Sequence, residues 1–135
     1  MTQKSGINAD EMMTLEHQDL TERIIRAAIE VHRRLGPGFL ESVYEKALII
    51  ELRKRGLAVR NQMDVIITYD EQEVGLHRLD VFVEDTIVVD LKAIKTLEDI
   101  HFAIVGSQLK AADRKHGLLL NFAKITLEAK RVIAS

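Results

Sequence analysis

The sequence contains no cysteine, no tryptophan and a single proline, and aromatic residues make up 4% of its 135 positions. Without cysteine the chain has no disulfide, no thiolate zinc site and no cysteine nucleophile. It also lacks any apolar run close to the ~18 residues that a membrane span needs. Residues 1–10 show no basic segment followed by an apolar one, as a secretory signal would. These absences predict a cytoplasmic protein with no membrane contact.

Neither sign of charge dominates the chain. There are 19 Lys and Arg residues against 21 Asp and Glu residues, which gives a net charge of −2. A general basic surface is therefore excluded, and any nucleic-acid binding has to come from a local patch or from bound metal ions. The 47% apolar and 30% charged content is typical of a globular protein. We expect residues 1–16 to form a flexible arm or lead-in and residues 17–135 to form a single domain.

Hydrophobic periodicity predicts two consecutive helices in the first half of the chain. Apolar residues recur at helical spacing over residues 20–35 and again over residues 40–52. Gly36-Pro37-Gly38 separates the two runs, since glycine can end a helix and proline cannot continue one. On the second helix Glu41 falls inside the apolar arc, so its carboxylate is expected to face the core and to need a partner.

From residue 57 the alternation of apolar and polar residues predicts a largely antiparallel set of strands. The expected strands are residues 57–59, 65–69, 74–83 and 86–92. A third helix is expected over residues 97–115, followed by a buried strand over residues 116–122. Residues 125–133 fit either a last strand or a short helix. The predicted order is therefore α-α-β-β-β-β-α-β.

Two acids and a lysine lie on the two most apolar of these strands. Asp90 and Lys92 point to the same face of their strand because side chains alternate. Asp80 joins them only if a three-residue loop connects the strands and places Val83 opposite Ile87. In that register the two carboxylates lie side by side and favour a bridging cation.

The chemistry of this constellation has two interpretations. Hard carboxylate oxygens suit Mg²⁺ or Mn²⁺ better than zinc, and Lys92 would reach the same space and stabilise phosphate charge. Alternating acids and lysines are also common on solvated strand faces, and Glu41 also fits a first-turn acid favoured by the helix dipole. The apolar context, Ile87 to Val89 and Leu91, favours the metal site.

Four sequence blocks resemble a known family. They are Gly38-x-x-Glu41-x-x-Tyr44, Arg78-Leu79-Asp80, Asp90-Leu91-Lys92 and Gly117-Leu118-Leu119-Leu120-Asn121-Phe122. This pattern is similar to the GxxExxY proteins of the PD-(D/E)xK nuclease superfamily. The resemblance implies a restriction-endonuclease-like α/β/α fold, in which helices flank a central four-stranded mixed sheet.

The resemblance also implies roles for individual residues. Asp80 and Asp90 would be the two metal-binding acids, Lys92 the catalytic lysine and Glu41 a further acid delivered by a helix. The family pattern leads us to expect Gln at position 104 and Tyr at position 108, where this chain has Ile104 and Gln108. Gln108 lies one helical turn further on, and we expect it to replace the missing amide in the site.

These residues together predict a Mg²⁺- or Mn²⁺-dependent nuclease, with DNA and RNA both open as substrates. The end of the third helix carries cations that fit either a phosphate-backbone contact or a solvated helix end: Lys110, Arg114, Lys115 and His116. The alternative function is a catalytically weak or silent nuclease fold that serves as an interaction module, for example as a homodimer. Metal-free acid/base chemistry by the carboxylate pair is disfavoured by Lys92.

Overall fold

The computed structural model describes residues 17–134 as three helices and five strands. The expected N-terminal arm, residues 1–16, lies outside the described residues. None of the described helices is both long enough and apolar enough to cross a membrane. The elements in chain order are α1 (Gln18–Leu35), α2 (Glu41–Lys54), β1 (Val59–Tyr69), β2 (Gln72–Val83), β3 (Ile87–Lys92), α3 (Asp99–Ala112), β4 (His116–Asn121) and β5 (Glu128–Ile133).

The five strands form one mixed sheet in the order β1-β2-β3-β4-β5. Strands β3 and β4 are parallel, and the other three neighbouring pairs are antiparallel. The mixed α and β architecture expected from the sequence is confirmed. The sheet has five strands rather than four because residues 128–133 pair along the whole length of β4. Of the two interpretations of the C-terminal segment, the strand is therefore correct.

The prediction of four strands before the third helix is wrong, because β1 is one strand where two were expected. The sequence separates residues 57–59 from residues 65–69 by a polar stretch. In the structure that stretch belongs to the edge strand β1. Arg60, Asn61 and Gln62 are exposed, and the residues on either side of Gln62 pair with β2. A strand at the edge of a sheet keeps its ladder without an apolar pattern.

The two faces of the sheet are covered by different helices. Helices α1 and α2 pack on one face, in a core that includes Ile24, Tyr44, Leu48, Val89 and Leu120. Helix α3 packs on the other face through Val105 and Leu109, against apolar residues of β2, β3 and β4. We refer to these as the α1–α2 core and the α3 core. Helices on both faces allow the central strands β3 and β4 to be fully buried.

Candidate active site

The β2–β3 hairpin has the register that the candidate site requires. Val83 lies opposite Ile87 and Val81 opposite Val89, across a loop of three residues. Two of these loop residues, Glu84 and Asp85, adopt the left-handed conformation at φ 54° and 53°. The predicted three-residue loop is confirmed, and the same register continued by one residue places Asp80 beside Asp90.

Strand β2 changes face at Asp80. In a regular strand Leu79 and Val81 would point the same way, yet Leu79 packs in the α3 core and Val81 in the α1–α2 core. On the neighbouring strand Gln62, which lies opposite Asp80 in the continuing register, has a φ of 54°. The β1–β2 hairpin therefore twists beside Asp80, and beyond this point β2 no longer pairs with β3.

Asp80, Asp90 and Lys92 form a partly buried cluster where β2 and β3 separate. Asp90 is 4% exposed, and it shares the α3 face of β3 with Val88 and Lys92. The Nζ atom of Lys92 lies 3.0 Å from Oδ2 of Asp90. One carboxylate oxygen of Asp80 accepts a hydrogen bond of 3.2 Å from the backbone N–H of Leu91. The strands thus hold both acids and the lysine in one place.

The electrostatics of the cluster favour neutralisation of one carboxyl group. Burial, together with the neighbouring carboxylate of Asp90, raises the pKa of Asp80 to about 8, although the Leu91 N–H acts in the opposite direction. The folded protein therefore keeps a proton on this carboxyl group at neutral pH unless a cation replaces it.

Glu41 and Lys92 respond to the same group of charges. Burial of Glu41 raises its pKa, the charge of Lys92 opposes this shift, and Asp90 adds to it. For Lys92, burial by itself would lower the pKa, but Asp90, Glu41 and Asp80 together raise it. Lys92 is therefore influenced by all three acids, Glu41, Asp80 and Asp90, and the roles of these four residues stay predictions.

Tyr44 fixes the corner from which Glu41 reaches this cluster. Its hydroxyl donates to the carbonyl of Gly36 at 2.6 Å and accepts from the N–H of Phe39 at 3.1 Å. Gly36 and Gly38 have φ of 72° and 108°, which glycine adopts without a steric penalty. The tyrosine ring is fully buried and stacks on Phe122. The Gly-x-x-Glu-x-x-Tyr motif therefore forms a corner that Tyr44 anchors, and Glu41 lies in the first turn of α2.

Sequence reasoning missed Glu45, which lies one turn after Glu41 on α2. Its carboxylate accepts hydrogen bonds from the side-chain amides of Asn61 and Gln62, at 2.9 and 2.7 Å. Its charge also contributes to the raised pKa of Asp80. The i, i+4 spacing from Glu41 was the available signal. Glu45 connects α2 to the twisted part of β1.

Asn121 belongs to the Gly117–Phe122 block, and its side chain makes hydrogen bonds at the end of β4. It is fully buried at the end of β4, directly opposite Lys92 in the parallel pair. Its side chain accepts from the N–H of Ile94 at 3.1 Å, donates to the carbonyl of Ile94 at 2.9 Å and donates to Glu128 at 2.9 Å. These bonds hold the segment that follows Lys92.

Gln108 faces the sheet from α3 and is 5% exposed. Its Oε1 atom has no hydrogen-bond partner within residues 17–134. Ile104, in the preceding turn, is partly buried. No hydrogen bond in the described part of the chain joins Gln108 to the four charged residues, so its place in the site stays a prediction.

The predicted basic cluster at the end of α3 is divided in the structure. Arg114 pairs with Asp85 at 3.2 Å and lies over the ring of Phe82, and His116 is buried. Arg114 therefore stabilises the β2–β3 loop. Lys110 and Lys115 are the two members of the cluster that are exposed.

The donors in this cluster fit a hard divalent cation that keeps most of its water. Oδ2 of Asp90 is buried, and Lys92 approaches it outside hydrogen-bond geometry. Asp80 and Asp90 offer adjacent oxygens, as Mg²⁺ and Mn²⁺ prefer. Residues 17–134 contain no group of three or more His, Cys, Asp or Glu that could hold a metal ion. Glu41 as a third metal ligand therefore stays a prediction.

The chain is similar to a known protein family and to a solved structure. The family model that describes the PD-(D/E)XK nuclease superfamily matches residues 18–132. No curated protein matches the chain. The crystal structure of SSO0001 is similar to this one with a TM-score of 0.58 and 10% sequence identity, covering 99% of this chain and 70% of that chain. This identity supports a shared fold alone, and the finer GxxExxY grouping stays a prediction.

Proposed function

The chain belongs to the PD-(D/E)XK nuclease superfamily, and we propose that it hydrolyses phosphodiester bonds of nucleic acid with Mg²⁺ or Mn²⁺. The restriction-endonuclease-like fold expected from the sequence agrees with this membership. The observation that carries the proposal is the pairing of Lys92 with Asp90 at 3.0 Å, beside Asp80 on the neighbouring strand. The two carboxylates match the positive charge of a metal ion, and the lysine matches the negative charge of a phosphodiester.

Each residue of the cluster has a role in the proposed reaction. Asp80 and Asp90 would hold the ion, and the hydrogen bond from Leu91 keeps the Asp80 carboxylate oriented. When bound, the ion would supply Lewis-acid polarisation of the phosphoryl group. Lys92 donates a hydrogen bond to a phosphoryl oxygen as negative charge develops there. Glu41, with its raised pKa, accepts the proton that the attacking water loses, and the leaving oxygen takes a proton from solvent water.

Gln108 is the further candidate for this site. A buried amide oxygen without a partner costs free energy, and the Oε1 atom of Gln108 is in this situation. We propose that it accepts a hydrogen bond from water or substrate in the loaded site.

The proposal is tested by incubating the pure protein with labelled single- and double-stranded DNA and RNA in the presence of Mg²⁺ or Mn²⁺. The control is the double variant Asp90→Ala/Lys92→Ala. Cleavage by the unaltered protein and none by the variant supports the assignment, and addition of EDTA should abolish it. Equal cleavage by both proteins would show that the activity comes from elsewhere or from a contaminant.

A second candidate is a catalytically silent module that uses the fold for association, as a homodimer or as a subunit. One observation favours it: Lys92 already neutralises the buried Asp90 within the chain. In this case no nucleic acid would be cut with any divalent ion. Sedimentation of the pure protein would then show whether it associates with itself.

A further inference from the structure

A groove of about 540 Å³ lies between the β1–β2 hairpin and helix α3. Strand β2 pairs with β3 only over Val81 to Val83, so the rest of the hairpin stands apart from β3 and forms one wall of the groove. The other wall is α3. Its lining includes Ile67, Thr68 and His77 on the hairpin, and Ser107, Lys110 and Ala111 on the helix. We call this the α3 groove.

A hydrogen bond between its two walls fixes the width of the groove. The hydroxyl of Ser107 donates to the carbonyl of Ile104 at 2.7 Å. Since this hydroxyl has one hydrogen, its oxygen is the acceptor in the 2.8 Å contact with Nε2 of His77. The neutral ring of His77 therefore carries its proton on Nε2. The groove is pre-formed, which lowers the entropic cost of ordering it around a ligand.

Both walls of the groove carry polar and apolar side chains. Lys110 is exposed and makes no ion pair or hydrogen bond with any residue in 17–134, so its charge is available to an anion. Thr68 adds a hydroxyl at the opposite wall. Ile67, which shares the α3 face of β1 with Val65, adds a partly buried apolar side chain on the hairpin, and Ala111 adds a small one on the helix. A nucleotide also combines polar and apolar groups, because its phosphate is charged and its base has two apolar faces.

The groove lies on the face of the sheet that carries the proposed catalytic cluster. His77 pairs with Val65, which packs against the α3 core, and Asp90 faces the same side. Along β2, His77 comes three residues before Asp80, a separation of roughly 10 Å at ~3.3 Å per residue. A nucleic-acid strand cut at Asp80 and Asp90 would therefore place its adjoining nucleotides at the α3 groove.

We propose that the α3 groove binds a single strand of nucleic acid next to the bond that is cut, with Lys110 contacting a phosphate and Ile67 contacting a base. This rests on the proposed nuclease function and deepens it by naming the form of the substrate. The volume falls within the roughly 300–1,000 Å³ of ordinary small-ligand sites, which suits one or two nucleotides of a single strand.

The test measures binding without cleavage. Fluorescence anisotropy with a labelled 12-nucleotide DNA or RNA strand, and with the matched duplex, is recorded in EDTA over a range of salt concentrations. Three proteins are compared with the unaltered chain: Lys110→Gln removes the charge, Ala111→Phe fills the groove, and Lys46→Gln is the matched control. Lys46 is exposed on α2, which packs on the opposite face of the sheet. Circular dichroism verifies that all four are folded.

We expect the single strand to bind more tightly than the duplex. Lys110→Gln should weaken it about 3- to 10-fold and reduce the slope of log K against log salt by about 0.7, the value for one phosphate contact on a single strand. Ala111→Phe should weaken binding without changing that slope, and Lys46→Gln should do neither.

Each other outcome overturns the proposal. Equal behaviour of Lys110→Gln and Lys46→Gln, preference for the duplex, or no binding at all would do so. A change in sedimentation by the groove variants without a change in anisotropy would assign the groove to contacts between copies of the chain. The cleavage assay is independent of these results, so metal-dependent cleavage with unaffected groove variants would retain the nuclease and reject the groove.

Discussion

The backbone N–H of Leu91 donates a hydrogen bond of 3.2 Å to the side chain of Asp80. It lies just beyond the last backbone pairs between β2 and β3, which end at Val81 opposite Val89. The carboxylate of Asp80 thus continues the contact between the strands after their backbones separate. This gives Asp80 one fixed position beside Asp90, in surroundings that raise its pKa to about 8.

The first prediction concerns stability and pH in the absence of metal. The folded-state pKa of Asp80, about 8, lies above its unfolded value near ~4, so the folded state binds more protons between these values. The contribution of this group to the free energy of unfolding is therefore fully present below about pH 4 and is lost as the pH rises to about 8. In EDTA we expect thermal stability to fall across this window.

The variant Asp80→Asn isolates this effect, because it keeps the shape of the side chain and cannot ionise. At pH 8 it should be more stable than the unaltered protein by on the order of 1–2 kcal/mol, or about 3–8 °C in Tm. The difference should shrink as the pH falls and should nearly vanish only at about pH 4. Calorimetry at both pH values is the measurement. A variant that is less stable at pH 8 than the unaltered protein would show that the Asp80 carboxylate is not strained in the folded state.

The second prediction separates catalysis from metal binding at Lys92. Lys92→Gln removes the charge that we propose for the phosphoryl oxygen but leaves both carboxylates in place. We expect Mn²⁺ binding, followed by calorimetric titration, to be retained while the single-turnover cleavage rate falls about 100- to 1,000-fold. Lys95→Gln is the control, since Lys95 is exposed three residues further along. Loss of Mn²⁺ binding in Lys92→Gln would mean that the lysine acts structurally.

The central part of the fold could be predicted because its sequence signals are local. The alternation of Asp90 and Lys92 places both side chains on one face, and it led to the condition of a three-residue loop after Val83, which the structure meets. Glycine at positions 36 and 38 marks the corner before α2. These are the elements that place the two acids and the lysine, so the main part of the candidate site was visible in the sequence.

The rest depends on long-range contacts. Strand β1 was divided because its central residues are polar, and only its pairing with β2 shows that it is continuous. Glu45 approaches the site through Asn61 and Gln62, which lie 16 and 17 residues away in the chain. The change of face at Asp80 has no periodic signal, because a left-handed residue such as Gln62 can only be identified from its backbone.

The third prediction concerns the anchor of the glycine corner. Tyr44→Phe keeps the stacking on Phe122 but removes the hydroxyl that bonds Gly36 and Phe39. Each of these partly buried hydrogen bonds contributes about 0.5–1.5 kcal/mol, so urea unfolding should show a loss of about 1–3 kcal/mol with an unchanged m-value. Tyr69→Phe is the matched control, because Tyr69 is 73% exposed, and it should change nothing. Equal stability of the two variants would contradict the anchoring role.

The last prediction tests how Asn121 holds the segment after Lys92. Asn121→Asp keeps the size of the side chain but replaces its amide donor with a carboxylate oxygen, 2.9 Å from Glu128. The site is fully buried, so ionisation of the introduced carboxylate is opposed by burial and by the charge of Glu128. The folded state then binds more protons than the unfolded state, and the variant should lose stability as the pH rises from 5 to 8.

The second variant in this experiment is Asn121→Asp/Glu128→Gln, which restores a donor opposite the carboxylate. We expect it to recover on the order of 1–2 kcal/mol at pH 8 and much less at pH 5, a coupling that a double-mutant cycle measures directly. Glu128→Gln by itself provides the remaining corner of the cycle. If the two substitutions add without coupling, the hydrogen bond between Asn121 and Glu128 contributes nothing to stability. The hold of Asn121 on the segment after Lys92 would then depend on its two bonds to Ile94 alone.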